Sequence, residues 1–472
     1  MKGPSSLVVL VLVAFVFLTI LPAASAQTIS WDEYFYGNGV DSGYGVAVDS
    51  DYMVVVGKYL NYTSYMKAFV AKLSKADGSL SWIKALKIHD NDEAYDVAID
   101  GQGNIYIVGE TQDTETSQCY GFVAKFNSDG NLQWSRIWSG AFDYVGRGVA
   151  VDSSGYVYVT GEISSGTSYD CLIMKLNPAD GNVIWSKKIG TADKLEYGYD
   201  ITIDSNDNIY VAGKNVSVYS AFLLNLDTSG NMIWGKTWKI GSLNTWSESI
   251  TVDPSGNVYI AGPVRYPYNA FIAKFDENGD LQWAKTWDSG GTDYAYSVAA
   301  DSQQVYLVGY TVDPNTADQA ALIIAFDHAG NLVWDVIWNG TAFERAYGAA
   351  SGSLYVTGST ESPSLTIADI SGSITDITDQ PVEILGNTMD VSISLTSLGV
   401  EYTPPPEEGR SGAQDYDIFI LAISLPTPPV GGEILLPQSS ESWTSSALLI
   451  ISTLAILLIT LRLVIVLAAK KL

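Results

Sequence analysis

Few residues of this chain belong to the types that carry out acid–base or nucleophilic catalysis or bind transition metals. Its 472 residues include two histidines, His89 and His328, and two cysteines, Cys119 and Cys171. The motifs HExxH and GxSxG are absent, and no histidine pair has the spacing of metal ligands. Ser411 lies in GRSG within a Pro-rich stretch rather than at a nucleophile elbow. The sequence therefore predicts no metal and no cofactor, and it favours binding over catalysis.

One set of residues recurs five positions before an Asp that begins a turn. These positions, with the nearest equivalent in a shortened last copy, are Tyr44, Tyr95, Arg147, Tyr199, Glu248, Tyr296 and Tyr347. Tyrosine combines a flat apolar face with a polar edge, which suits sugar rings or peptide segments. The sequence leaves two interpretations open: a ring of binding residues at the mouth of a channel, or packing residues between neighbouring structural units.

The elements that position these residues form a repeat of 47 to 52 residues, which is marked by a Gly that ends a YVxG-like strand. The marker glycines are Gly57, Gly109, Gly161, Gly213, Gly262, Gly309 and Gly358. One copy reads YDVAID, NIYIVG, FVAKF and NLQWSRIW, which are four short strands that we name a to d. Tight D-x-x-G-N turns join a to b and c to d. Four-stranded units without helical periodicity predict the blades of an all-β propeller, with the Trp of strand d packed between blades.

The two ends of the repeat array complete each other. The segment around Trp31 matches a strand d that lacks its own a, b and c, and Asp417–Ile423 matches a strand c without a following d. We therefore expect a seven-bladed ring, residues 27–424, in which the N-terminal strand d pairs with the C-terminal strand c. Such closure leaves no open sheet edge between the first and last blades.

An insertion interrupts the last blade. Residues 361–415 separate its strand b from the C-terminal strand c, and we expect part of this insertion to form additional strands. The alternative is that Leu365–Asp376 forms a c–d hairpin, which would make the seventh blade self-contained.

The repeats resemble the SBBP-type β-propeller repeats of prokaryotic secreted and cell-surface proteins, on the cadence DSSGYVYVTG followed by a strand such as FVAKF. This resemblance implies a propeller scaffold and does not imply one activity. The segment KLNPADGNVIW is also similar to the tryptophan-docking repeats of quinoprotein dehydrogenases. However, the sequence shows no residue set for a quinone or its metal, and it has seven repeats rather than eight.

Targeting segments lie at both ends. Residues 1–26 have the apolar stretch and small-residue cleavage site of a signal peptide, with an uncleaved N-terminal anchor as the alternative. A Pro-rich linker, residues 425–444, leads to an apolar segment, residues 445–469, which is long enough to span a bilayer. The basic tail, residues 470–472, is expected to stay in the cytoplasm. These features predict a single-pass protein of the cell membrane with its propeller outside the cell.

The loops that connect the strands lie on two opposite faces of the predicted ring. The tight turns lie on the face from which the linker leaves, and the variable b–c loops and the insertion lie on the other, outward face. The outward face also carries the three N-glycosylation sequons, at Asn61, Asn215 and Asn339. Because binding residues concentrate in loops on rigid scaffolds, this face is the expected binding face.

Charge and cysteine content restrict the partners. The net charge of −27 repels phosphate backbones, so nucleic acid is an improbable partner. Cys119 and Cys171 come at the start of strand c in adjacent repeats, where either a blade-to-blade disulfide or two thiols are possible.

The functional expectation is a membrane-anchored extracellular scaffold that binds an unidentified glycan, peptide or envelope protein. The sequence leaves two alternative functions open. One is an extracellular polysaccharide hydrolase or lyase that uses acidic residues at the channel mouth, and the other is a purely structural envelope component.

Overall fold

The computed structural model describes the propeller and parts of the insertion. The described residues are 28–35, 41–60, 65–139, 143–164, 166, 168–189, 196–265, 268–339, 343–361, 366–369, 373–377, 382–383, 389–390, 394–397, 401–403 and 417–424. The chain divides into two units, Met1–Leu425 and Pro426–Leu472, and all of these residues belong to the first. None of them forms a helix that is long and apolar enough to cross a bilayer. The predicted signal peptide, linker and membrane segment lie outside the described residues.

Seven antiparallel sheets form the blades, numbered here from the N-terminus, each with strands a to d. The a strands of blades 1 to 7 are Ser42–Val48, Asn91–Ile99, Tyr144–Val151, Glu196–Ile203, Asn244–Thr245 with Ser249–Val252, Thr292–Ala300 and Glu344–Ala350. The b strands are Tyr52–Leu60, Ile105–Asp113, Val157–Ser164, Ile209–Asn215, Val258–Arg265, Gln304–Val312 and Leu354–Thr360. The c strands are Met66–Ser74, Gln118–Phe126, Tyr169–Leu176, Ser220–Leu226, Asn269–Phe275, Gln319–Asp327 and Asp417–Ser424. The d strands are Leu80–Lys87, Leu132–Ser139, Val183–Ile189, Met232–Trp238, Leu281–Asp288, Leu332–Asn339 and, from the N-terminus, Thr28–Phe35.

The predicted closure is confirmed. Strand Thr28–Phe35 runs antiparallel to Asp417–Ser424, with Trp31 opposite Ala422. Asp417–Ser424 in turn pairs with strand b of blade 7, with Gly358 opposite Phe419. The chain is therefore an all-β, seven-bladed propeller whose last blade combines strands from both ends.

The insertion forms a belt around the ring. Its six described strands are Thr366–Asp369, Ser373–Ile377, Val382–Glu383, Met389–Asp390, Ser394–Ser397 and Glu401–Thr403. They pair with strand d of blades 6, 5, 4, 3, 2 and 1 in that order. The hairpin alternative for Leu365–Asp376 is wrong, because its two strands pair with different blades. The belt instead supplies the outer edge of six blades with hydrogen-bond partners.

Apolar side chains hold neighbouring blades together. Seven buried clusters form, and each contains residues from two adjacent blades. The cluster between blades 7 and 1 contains Val55 of blade 1 and Ile420 of the C-terminal strand. Burial of apolar surface therefore continues around the whole circle and stabilises the closed form.

The tight turns bond as predicted. In the a–b turn of blade 2, Asp100 Oδ1 accepts hydrogen bonds of 2.9 Å from the backbone N–H groups of Gln102 and Asn104. Gly103 takes the left-handed conformation, with φ of 78°. The buried Tyr106 of strand b donates its hydroxyl to Asp100 Oδ2 at 3.0 Å. The Asp and the Tyr of the repeat thus stabilise one turn together.

Candidate functional site

Strand a of almost every blade contains a β-bulge. The pairing of strands a and b shifts register by one residue between Gly43 and Gly45 in blade 1, and between Ala94 and Asp96 in blade 2. Equivalent shifts occur in blades 3, 4, 6 and 7. The bulged residues are Tyr44, Tyr95, Arg147, Tyr199, Tyr296 and Tyr347. Because a bulge redirects side chains, it turns these residues toward the central channel.

Blade 5 reaches the same position by a break in its strand. Its strand a is split into Asn244–Thr245 and Ser249–Val252, and Glu248 lies in the gap. The Glu248 N–H still donates to the carbonyl oxygen of Ala261 in strand b, at 2.8 Å. Glu248 is therefore the seventh channel residue.

The marker glycine of each repeat lies opposite this bulge. A Cβ atom built on Gly109 would come within 1.9 Å of the carbonyl oxygen of Glu93 in strand a. Five other marker glycines meet a strand a carbonyl at 1.8–2.0 Å, and Gly262 meets the Trp246 carbonyl in the gap of blade 5 at 1.9 Å. The repeated Gly therefore permits the close backbone approach that the bulge requires.

The seven predicted residues, which we call the mouth ring, line one cavity of about 110 Å³ in the channel. The rings of four of them contact one another around the channel axis. The ring centroids of Tyr44 lie 5.6 Å from Tyr95 and 5.3 Å from Tyr347. Tyr296 lies 4.9 Å from Tyr347 on the other side. The structure thus brings all seven together at the channel, where each is half-buried. That they bind a ligand stays a prediction.

Charged groups complete the mouth ring. The Arg147 guanidinium lies 4.6 Å from the ring centre of Tyr95 and forms an ion pair of 3.1 Å with Glu162. Glu248 accepts a hydrogen bond of 2.8 Å from the hydroxyl of Tyr294. Burial raises the pKa of the Glu248 carboxyl. The mouth therefore presents both a hydrogen-bond donor of fixed charge, Arg147, and a carboxyl group with a raised pKa, Glu248.

A second tier of polar residues was missed by sequence reasoning. The residue directly after the marker glycine on strand b is Lys58, Glu110, Glu162 and Lys214 in blades 1 to 4. Lys58 pairs with Glu93 at 3.0 Å. Lys214 lies 4.6 Å from the ring centre of Tyr197 and 4.8 Å from that of Trp246. Their constant position after the Gly is the signal that could have identified them.

Two half-buried aspartates, Asp96 and Asp200, line the same cavity as the mouth ring. Asp96 Oδ2 accepts a hydrogen bond of 2.8 Å from the Val149 N–H of blade 3. Asp200 Oδ2 accepts a bond of 2.8 Å from the Ile250 N–H of blade 5. Each carboxylate therefore links strand a of one blade to strand a of the next. Burial raises the pKa of both carboxyls, and the charge of Asp200 raises that of Asp96 further.

Both cysteines are free thiols in the structure, so the possible disulfide is not formed. Cys171 is fully buried and packs in the apolar cluster between blades 3 and 4. Cys119 is half-buried and lines a cavity beside Leu60 and Met66 of blade 1.

The sequons have different outcomes. Asn61 lies outside the described residues. Asn215 ends strand b of blade 4, and its Nδ2 donates to Glu196 at 2.9 Å. Asn339 ends strand d of blade 6, where its backbone pairs with Thr366 of the belt. Both described sequons lie at the end of the ring that carries the mouth, and their glycosylation stays a prediction.

Within the described part of the chain, no group of three or more His, Cys, Asp or Glu side chains is arranged to hold a metal ion. His89 contacts Thr111 at the outer end of blade 2, and His328 contacts Tyr259 near the turns. The chemistry that the site offers is therefore aromatic stacking, hydrogen bonding and carboxyl protonation.

Comparison with known proteins identifies the repeat. A family model described as a β-propeller repeat, SBBP, matches residues 87–114, 133–167, 184–214 and 239–262. No curated protein matches the sequence.

Several solved structures are similar in shape. Quinohemoprotein alcohol dehydrogenase from Comamonas testosteroni is 11% identical, with 89% of this chain and 78% of that chain covered and a TM-score of 0.40. Sqt1 from Chaetomium thermophilum is 11% identical, with coverage of 73% and 100% and a TM-score of 0.42. A polysaccharide lyase, an ulvan lyase bound to -[GlcA(1-4)Rha3S]-, is 13% identical, with coverage of 73% and 96% and a TM-score of 0.44. Likeness at this level gives no argument about what this chain does.

Proposed function

Because the chain is a closed propeller that carries SBBP repeats, we propose that it is a cell-surface scaffold that binds a carbohydrate chain at the mouth ring. One observation supports this proposal above all. Seven side chains, one from each blade, line a single cavity, and five of them are tyrosines. Tyrosine faces pack against the C–H faces of sugars, and their hydroxyls bond to sugar hydroxyls.

The charges of the mouth also suit a polyhydroxylated ligand. Lys58 and Arg147 are each paired with a glutamate, Glu93 and Glu162, at about 3 Å. The charges within these two pairs cancel, although the whole chain carries a net charge of −27. A sugar, which both donates and accepts hydrogen bonds, finds partners of both kinds here.

The location is part of the same proposal. Residues 1–26 and 445–469 have the composition of a signal peptide and a membrane segment, which supports a propeller held outside the cell. Deleting residues 445–472 is then expected to move carbohydrate binding from intact cells into the medium.

The test is binding of fluorescently labelled polysaccharides to cells that express the full chain. We expect Tyr199→Ala to weaken binding at least 10-fold, about 1.4 kcal/mol, because one of the five tyrosine rings available to a sugar is lost. Tyr156→Ala is the matched control, since Tyr156 is half-buried in an a–b turn at the opposite end of the ring. Unchanged binding by Tyr199→Ala, or binding of peptides instead of polysaccharides, would contradict the proposal.

A second candidate function is cleavage of the bound polysaccharide, and one observation favours it. The Tyr95 hydroxyl lies between two carboxyls, 2.7 Å from Glu110 and 3.3 Å from Glu93. Burial raises the pKa of Glu110, whereas Lys58 pairs with Glu93. Carboxyls in unlike environments serve as acid and base in glycoside cleavage. Release of new chain ends by the wild type, and its loss in Glu110→Gln, would establish this activity.

A further inference from the structure

A second cavity of about 290 Å³ opens between blades 1 and 2, at the same end of the ring as the mouth. Its described lining residues are Leu60, Met66, Asn91, Glu93, Glu110, Gln112 and Cys119. All seven are half-buried, so the cavity is open to solvent rather than sealed in the core. We call it the blade 1–2 cavity.

Blade 2 contributes two rows of polar side chains to this cavity. Asn91 lies directly opposite Gln112 across strands a and b, and Glu93 lies directly opposite Glu110. Leu60 and Met66 of blade 1 add apolar surface to the lining. The cavity therefore combines an amide pair, a carboxyl pair and an apolar surface.

The hydrogen bonds of the amide pair assign donors and acceptors. Asn91 Oδ1 accepts from the Met66 N–H at 3.1 Å, which ties blade 2 to blade 1. Asn91 Nδ2 donates to Gln112 Oε1 at 3.4 Å. With Oε1 used as the acceptor, the amide Nε2 of Gln112 is a donor in the same cavity lining as the carboxyl oxygens of Glu93 and Glu110, which are acceptors.

We infer that the blade 1–2 cavity binds one neutral, hexose-sized sugar residue of the carbohydrate chain; this inference rests on the proposed function. A sugar hydroxyl both donates and accepts, so it satisfies the Gln112 amide and a glutamate together. An ammonium group would leave the Gln112 amide donor without an acceptor, and an anion would face two glutamates. The volume lies at the small end of ligand sites and accommodates one sugar ring rather than an extended chain.

The cavity adjoins the mouth ring through one residue. The Tyr95 ring belongs to the mouth ring, and its hydroxyl donates to Glu110 of the cavity at 2.7 Å and lies 3.3 Å from Glu93. A sugar residue in the cavity therefore lies beside the edge of Tyr95. The rest of the chain then follows the tyrosines across the channel.

The alkylation rate of Cys119 measures whether a ligand occupies the blade 1–2 cavity. Cys119 lines the cavity and is half-buried, whereas Cys171 is 0% exposed, so alkylation at moderate extent labels Cys119 selectively. Burial, with the nearby Glu110 carboxylate, raises the pKa of the Cys119 thiol to about 11. The labelling is therefore followed over hours with iodoacetamide at about pH 9, on the full chain in membranes.

The probes are galactose and N-acetylglucosamine, with propylamine and glucuronate as the charged contrasts. We expect a neutral sugar to slow Cys119 alkylation at least 3-fold, and propylamine and glucuronate to leave the rate unchanged. Gln112→Leu should abolish the protection. Gln133→Leu should retain it, because Gln133 is an exposed side chain near the c–d turn of the same blade.

Three outcomes would overturn the inference: no protection by either sugar, equal protection by propylamine, or full protection of Gln112→Leu by sugar. Protection of Cys119 in the wild type by sugar but not by propylamine tests the inference even if Gln112→Leu does not fold. Polysaccharide binding to cells that is lost in Tyr199→Ala, without any protection of Cys119, would refute this inference and leave the proposed function standing.

Discussion

At the scale of residues, two carboxyl groups under the mouth ring have a structural task that is sensitive to pH. Asp96 and Asp200 are half-buried in the channel lining, and each accepts backbone N–H bonds from its own strand and from the neighbouring blade. Burial raises the pKa of both, because the charged form loses hydration. Folding therefore binds protons at these sites above the ordinary aspartate pKa, which is about 4.

The resulting prediction concerns stability. The folded state holds more protons than the unfolded state between pH of about 4 and the raised pKa values, so their contribution to stability falls as pH rises through that window. We expect Asp96→Asn to cost about 1–3 kcal/mol at pH 5, since one backbone N–H loses its acceptor. The free-energy cost of the substitution should decrease toward pH 8. At that pH the wild-type carboxyl is less stable in the folded state, because its charged form has lost hydration. Urea unfolding at pH 5, 6.5 and 8 measures this.

The control is Asp129→Asn, at an exposed position in a c–d turn. Its cost should not vary with pH in the same way. A cost for Asp96→Asn that is constant or grows from pH 5 to pH 8 would contradict the predicted direction of the pKa shift.

At the scale of elements, the unit that joins blades is a Trp of strand d and the c–d turn of the next blade. The indole N–H of Trp134 donates to the carbonyl oxygen of Pro178 at 3.0 Å, and its ring covers Gly181. The same bond recurs from Trp82, Trp185, Trp234 and Trp283. Trp334 of blade 6 has no such acceptor among the described residues. The reason is topological, since strands c and d of blade 7 come from opposite ends of the chain and share no turn.

This difference gives a matched pair of variants. Trp134 and Trp334 are each 7% exposed, so replacement by Phe removes a similar amount of buried surface. Trp134→Phe also removes the indole hydrogen bond to the Pro178 carbonyl, which keeps its bond of 3.0 Å from Lys125 Nζ. We therefore expect it to cost about 0.5–1.5 kcal/mol more than Trp334→Phe in urea unfolding. Equal costs would show that the indole hydrogen bond does not stabilise the junction between blades.

At the scale of the whole molecule, the ring is closed twice. Strands from the two ends pair in blade 7, and the belt runs past blades 6 to 1 before the chain returns to that blade. The belt pairs with the strand d edges of these six blades. Each closure removes sheet edges that would otherwise be open to pairing with other chains.

Removing Thr28–Phe35 tests the first closure. The deletion exposes the edge of Asp417–Ser424, and we expect the Tm to fall by about 10 °C or more and the protein to aggregate. Placing the same eight residues after Ser424, through a D-G-N turn, should restore the Tm, because blade 7 then has a continuous c–d hairpin. A deletion variant that stays monomeric with an unchanged Tm would contradict the stabilising role of the closure. Differential scanning calorimetry and size-exclusion chromatography provide the measurements.

Local repetition let the sequence alone determine the blade number, the pairing of Trp31's strand with Asp417–Ile423, and the seven residues of the mouth ring. A repeated Gly, Asp and Trp record contacts that recur in every blade, so they can be read from spacing. The bulges that aim the mouth ring, the aspartate links between blades and the blade 1–2 cavity were decided only by the tertiary structure. They depend on which blade lies beside which residue, and the repeat pattern does not contain that information. The belt could not be predicted from the sequence for a similar reason. Its strands have two to five residues, which is too short for a periodic hydrophobic pattern, and they form by pairing with the blade edges.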